Sequence, residues 1–189
     1  MPVLFAACLT LAGCATPIVQ KTVGTVMGTN AATAPMVKPG KDAPQIWMTM
    51  VSLGIKFPMS QLQVRDGVTI YASKDGSQAF MRNGILIGTR GFGRDLMSAE
   101  APSAATLRAG APHQRSYYDM DGTDTMFRHR YACTVARDPA DAGHVTEDCT
   151  ADIGSIRNQF WFDSADSISK SRQWVSQGVG YVAVERKAK

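Results

Sequence analysis

Three histidines, four cysteines and a scatter of serines and aspartates carry the reactive chemistry available to this chain, and their spacing limits it sharply. No G-x-S-x-G presents a serine nucleophile, and His113, His129 and His144 each lack a local partner pattern. A Ser-His-Asp set drawn from distant residues stays open, because such sets are defined by geometry and not by order. His129 and His144 lie near Cys133 and Cys149, yet no C-x-x-C or H-x-x-x-H spacing argues for zinc. Gly88-Thr89-Arg90-Gly91-Phe92-Gly93 has neither the dinucleotide order G-x-G-x-x-G nor the G-K-[ST] ending of a Walker loop. It reads as a tight strand connection. Asp119-Met120-Asp121-Gly122-Thr123-Asp124 puts Asp124 and Arg130 where a calcium loop needs glycine and glutamate. A hairpin turn is the better account, able at most to hold a weak cation. These motifs point to no catalytic residue, no metal and no cofactor.

Cys14 offers a different chemistry. It closes Leu11-Ala12-Gly13-Cys14 at the edge of an apolar run from Val3 to Leu11, which resembles a lipobox. Cleavage there would remove residues 1–13 as a signal peptide and leave Cys14 as a lipid-bearing amino terminus. The run has signal length and is far too short to span a bilayer, although no Lys or Arg precedes it. The competing reading is a buried strand that happens to carry Cys8 and Cys14. Export would place Cys133 and Cys149 in an oxidising compartment, where an even pair reads as a disulfide worth about 3 kcal/mol.

The elements that must position these residues are mostly strands. Residues 14–44 are rich in Ala, Thr, Pro and Gly and read as a tether, with a short helix at Val19–Met27 as one option. From residue 45 to 189 the chain reads as one β-rich domain. Trp47–Val51 is β-prone, and Lys56-Phe57-Pro58-Met59 suggests an edge or a bend because of Pro58. Asp66-Gly67, Asp75-Gly76 and Asn83-Gly84 repeat at the spacing of hairpin turns in an antiparallel meander. Asp121-Gly122 is a further turn signal, Ala101–Pro112 a connector and Asp138–Gly143 a loop. Arg157–Asp163, Ile168–Ser176 and Gly180–Arg186 close the chain as strands. The expected fold is mainly β, an antiparallel meander forming a barrel- or sandwich-like single domain with few short helices.

The net charge of +4 comes from scattered Lys and Arg, without the basic-aromatic interleaving that tracks nucleic acid. Nucleic acid is therefore not an expected partner. A mildly basic surface would suit acidic sugars or anionic headgroups. Tyr117, Tyr118, Tyr131, Trp161 and Trp174 could stack on sugar rings. Trp161 and Trp174 are better read as core, which leaves Tyr117 and Tyr118 as the candidate ligand surface.

Three blocks carry a family resemblance. Arg82-Asn83-Gly84-Ile85-Leu86-Ile87-Gly88-Thr89-Arg90-Gly91-Phe92-Gly93-Arg94-Asp95-Leu96-Met97-Ser98-Ala99 resembles a "turn, strand, T-R-G-x-G-x-D-L-M-S" segment. Asn158-Gln159-Phe160-Trp161-Phe162-Asp163 is similar to N-R-Y-W-V-D, with Gln159-Phe160 where Arg-Tyr is usual. The third block runs from Ser171 to Tyr181. Together they resemble the YjbF family of group 4 capsule lipoproteins, over about residues 45–187. The resemblance implies a mainly β, barrel- or sandwich-like fold and an outer-membrane lipoprotein on the periplasmic side. It also implies work with other envelope export proteins in capsule or exopolysaccharide production or export. Membrane attachment through the lipid, and polysaccharide or an export protein as partner, are the corresponding expectations. A periplasmic polysaccharide-modifying or hydrolytic enzyme is the alternative, and would show a carboxylate pair across an aromatic groove.

Overall fold

A computed structural model describes residues 38–187 except 122 and 124. The signal segment, Cys14, the helix considered at Val19–Met27 and the tether up to residue 37 lie outside the described residues, as do Gly122 and Asp124 of the acidic turn.

Among the described residues twelve strands follow one another: β1 (Gln45–Met50), β2 (Ile55–Arg65), β3 (Val68–Ala72), β4 (Gln78–Arg82), β5 (Ile85–Arg90), β6 (Ser98–Glu100), β7 (His113–Met120), β8 (Met126–Arg137), β9 (His144–Ala151), β10 (Gly154–Phe162), β11 (Ile168–Ser176) and β12 (Gly180–Arg186). Consecutive strands pair antiparallel except β5 and β6, which are the two ends of the sheet, and β1 pairs with β12. The meander thus curls into a nearly closed barrel. Its two ends differ. The β1–β2, β3–β4, β5–β6, β7–β8, β9–β10 and β11–β12 connections share one end, here the tip. The start of β1 and the finish of β12, Ile46 opposite Arg186, mark the other end, the base.

The turns follow the sequence where glycine chemistry is strict. Asp66-Gly67 and Asn83-Gly84 have positive φ at both positions, 50° and 74°, then 49° and 83°, as a two-residue hairpin turn demands. Asp75-Gly76 differs. Its loop is longer, closed by Ser73 N–H donating to Ser77 O (3.0 Å), with the Asp75 carboxylate accepting from both serine hydroxyls.

Pro58 sits inside β2 where the strand is paired on one side only, so the expected edge is present locally. Gln61 N–H donates to Pro44 O (2.8 Å), so from Ile55 to Gln61 the odd-numbered residues of β2 bond toward β1 and the even-numbered ones face the other side. Pairing with β3 begins only at Ser60. The missing N–H of Pro58 therefore faces a stretch where no strand waits for it.

The seam between β5 and β6 is the glycine segment 88–93. Thr89 N–H donates to Leu96 O (2.9 Å), and Leu96 N–H returns to Thr89 Oγ1 (2.9 Å). Asp95 ties the loop by accepting from Thr89 Oγ1, Gly91 N–H and Phe92 N–H. Across the interior, Gln173 of β11 accepts from Leu86 N–H (2.9 Å) and donates to Gly84 O (3.0 Å). A fully buried amide thus serves the backbone of a strand that would otherwise be an open edge.

Apolar residues fill the interior by period-two alternation. Ile46, Met48, Met59, Leu86, Leu96, Val182 and Val184 form the main cluster. The connector Ala101–Pro112 contains a short helix, α1 (Ala104–Ala109), capped by Ser103, which accepts from Thr106 N–H, and by left-handed Gly110. Its Leu107 packs with Ile85, Val145, Phe160, Phe162 and Ile168. The outer face instead carries pairs such as Lys56–Glu185 (2.8 Å) and Arg157–Asp148 (2.6 Å). Apolar inside and charged outside is the reverse of a lipid-facing barrel.

Candidate functional site

The tip end opens into a groove of about 370 Å³. β7 and β8 supply Tyr117, Tyr118, Asp119, Phe127, His129 and Tyr131, while β10, β11 and their turns add Ile153, Ile156, Trp174 and Gln177. The register explains the gathering. Tyr117 lies opposite His129, Asp119 opposite Phe127 and Arg115 opposite Tyr131, so every second residue of both strands points inward. Tyr117 and Tyr131 meet edge to face, with ring centroids 5.8 Å apart. Beyond the cavity, Val51, Leu53, Ile55 and Met126 stand exposed on the hairpins of the same end, as do Phe127 and Ile153 at its rim. Among the described residues only Val64, of the exposed large apolar side chains, lies at the base.

Adjacent residues of a strand point to opposite faces, and this separates the two tyrosines. Tyr117 is 4% exposed and belongs to the core side of β7; its hydroxyl accepts from Asn158 Nδ2 at 3.3 Å. It is not a surface residue, although it lines the groove. Tyr118 is half-buried, donates to Glu100 Oε1 (2.6 Å) and carries the Arg128 guanidinium 5.6 Å over its ring.

Neither Trp161 nor Trp174 is fully buried, although Trp174 packs against the main core cluster. Trp161 is half-buried on the outer face, stacked on His144 at 4.4 Å, with Lys170 Nζ 4.9 Å from its ring. Trp174 is half-buried near the groove, edge-on to Tyr181 at 5.2 Å. Period-two alternation makes the difference, since Trp161 alternates with the inward Phe160 and Phe162.

Behind Tyr117 lies a buried charge cluster. Glu147 Oε1 is 2.6 Å from His113 Nε2 and accepts from Arg115 Nε at 3.1 Å. Its Oε2 accepts from Asn158 Nδ2 at 2.7 Å. Arg115 Nη2 lies 3.1 Å from the same oxygen but is misaligned, and has no hydrogen-bond partner. Burial opposes the charged form of Glu147, yet Arg115 and the hydrogen bonds from His113 and Asn158 hold its carboxyl below the usual range. Burial also works against protonated His113. The hydrogen bonds to Glu147 and to Ala111 O outweigh it, and the imidazole is pushed above its ordinary value. Burial raises the Tyr117 phenol.

This geometry narrows the chemistry. Both nitrogens of His113 face acceptors, at Glu147 and at Ala111 O. His144 Nδ1 is 3.1 Å from Asp138 Oδ2, but its Nε2 is buried without a partner, so no hydroxyl stands where a triad would need one. Cys133 Sγ comes near His113 and Glu147, yet that sulfur is bonded to Cys149. The two cysteines face each other in register on β8 and β9, with Cα atoms 4.0 Å apart. Such a sulfur cannot serve as a thiolate ligand. In the acidic turn, Asp121 Oδ1 accepts from Thr123 N–H, Thr125 N–H and the Thr123 hydroxyl. That carboxylate caps the turn.

Sequence reading missed the cluster of Arg115, Glu147 and Asn158. A signal was available: Glu147 alternates with Val145 and Cys149, and so shares the face of a buried sulfur.

Comparison with known proteins agrees with this architecture. The family model described as Group 4 capsule polysaccharide lipoprotein gfcB, YjbF matches residues 45–186. The crystal structure of the hypothetical lipoprotein YmcC from Escherichia coli (K12) is similar, with a TM-score of 0.66 at 15% identity, covering 92% of this chain and 97% of that one. No curated protein matches.

Proposed function

The chain belongs to the YjbF family of group 4 capsule polysaccharide lipoproteins, and on that basis we propose that it is a lipid-anchored, non-enzymatic envelope component that binds polysaccharide during capsule or exopolysaccharide production or export. The proposed anchor is Cys14 and the proposed site of action the periplasmic side of the outer membrane. The observation that carries the binding role is the aromatic groove at the tip. Phe127 and Trp174 offer flat apolar area over a floor of the buried Tyr117 and Tyr131, with polar neighbours, the composition that suits sugar rings.

The hydrolase alternative needs two carboxylates free to exchange protons across the groove. Its carboxylates are Asp95 and Asp119. Asp95 already accepts three hydrogen bonds that hold the β5–β6 seam, so its lone pairs are committed to structure. This favours binding over cleavage.

The test is polymer export in cells carrying Phe127→Ala with Trp174→Ala, measured beside the abundance of the protein. Loss of exported polymer at normal abundance is the expected result. Shortening of the polymer by purified protein, abolished by Asp119→Asn, would replace this reading with an enzyme.

A further inference from the structure

We infer that the groove prefers uncharged or amino-bearing glycan segments over acidic ones, an inference that rests on the polysaccharide-binding reading. The chain as a whole is basic, with a net charge of +4, and by bulk charge alone an acidic polymer would be the natural ligand. The groove reverses that expectation. Among the described residues its lining contains the carboxylates Asp95 and Asp119, one imidazole, His129, and no lysine or arginine.

Of the cations around it, Arg128, Arg115 and His113 are engaged elsewhere. Arg128 is paired with Glu100 on the outer face at 2.5 Å and donates to Ser116 Oγ. Arg115 and His113 both lie against Glu147, behind the Tyr117 ring, with the guanidinium carbon 5.6 Å from that ring's centre. A uronate entering the groove would therefore meet Asp119 with no lysine or arginine in the lining to offset it, and like charges at short range repel. A sugar ammonium meets the opposite conditions. It finds a carboxylate for pairing and the half-buried or exposed rings of Trp174 and Phe127 for cation–π contact. Asp119 is the discriminating residue because its Oδ1 accepts only from the neighbouring Met120 N–H at 2.7 Å, whereas Asp95 is tied.

The experiment uses the full chain in detergent and four oligosaccharides of matched length: glucosamine, N-acetylglucosamine, β-linked glucose and galacturonate. Calorimetric titration at neutral pH should find galacturonate weakest, about tenfold below the glucosamine oligomer. Asp119→Asn should narrow that ratio about threefold, with its urea midpoint measured beside that of the unaltered chain to show that the barrel is intact. Galacturonate binding as tightly as the others, or a ratio indifferent to Asp119→Asn, would overturn the preference and leave polysaccharide binding standing. Failure of all four to bind would remove the binding reading and this inference with it.

Discussion

Glu147 and His113 meet at 2.6 Å inside the barrel, on strands that are not neighbours, since β8 runs between β7 and β9. The contact passes beside the Cys133–Cys149 bridge and is shared with Arg115, so one carboxylate faces two cations in a dry environment. Replacing that carboxylate by an amide leaves both cations buried without a counter-charge. Glu147→Gln should cost about 3–5 kcal/mol, read as a lowered urea midpoint at unchanged slope.

The same pair sets a pH dependence with two limits. His113 is raised above the ordinary histidine value of 6.5. Its stabilisation is complete below 6.5 and is lost as pH rises through the folded value. Glu147 is lowered below the ordinary value of 4.5, so its contribution is present above 4.5 and lost as pH falls through the folded value. Urea midpoints measured across pH should be highest between about 4.5 and 6.5 for this pair's contribution. His113→Gln should flatten the alkaline limb. An alkaline limb that survives that change would exclude His113 as its source.

Much of this was legible beforehand, and the reason is local. Asp66-Gly67 and Asn83-Gly84 announce two-residue turns because only such residues sit easily at positive φ, and the meander follows. Pro58 marks a local edge, and where that edge ends depends on where β3 begins, which is not a property of β2. The helix α1 hid in a connector although Ser103 and Gly110, its caps, were in plain view; six residues of weak periodicity do not show as a helix. The groove was half legible. The sequence offers Tyr117 and Tyr118 as the ligand surface and Trp174 as core, but the inward turn of Tyr117 and the partial exposure of Trp174 depend on strand phase, and the cluster behind Tyr117 depends on register across three strands.

The disulfide joins two central strands and both its residues are buried. Reduction, or Cys133→Ala with Cys149→Ala, should lower stability by about 3 kcal/mol. Thiol accessibility should require unfolding first, so labelling of reductant-treated native protein should be slow. Rapid labelling would place the bridge nearer the surface than described.

Two glycines with similar backbones should respond differently to alanine. Gly67 has φ +74° with open space around it, and Gly84 has φ +83° with Ile168 Cβ 2.7 Å from where a methyl would stand. Gly67→Ala should cost about 1–2 kcal/mol through backbone strain alone. Gly84→Ala adds the clash and should cost roughly 2–4 kcal/mol. Thermal midpoints of the two variants, measured side by side, should fall in that order.

Acylation of Cys14 is tested by mass and fractionation. The unaltered protein should partition into detergent and sediment with membranes, since each buried methylene contributes about 0.8 kcal/mol. Cys14→Ser should release soluble protein or leave an uncleaved precursor. Unchanged mass and sedimentation would rule out lipid attachment at that residue.

The position of β1 between β2 and β12 has a mechanical meaning. The chain enters β1 from the base, while the groove opens at the tip. With the proposed anchor and the proposed ligand, a load between the two would run along the strand axis and shear the hydrogen-bonded ladders on both flanks of β1 together instead of peeling them one rung at a time. The strand most directly pulled would then be the one clamped from two sides.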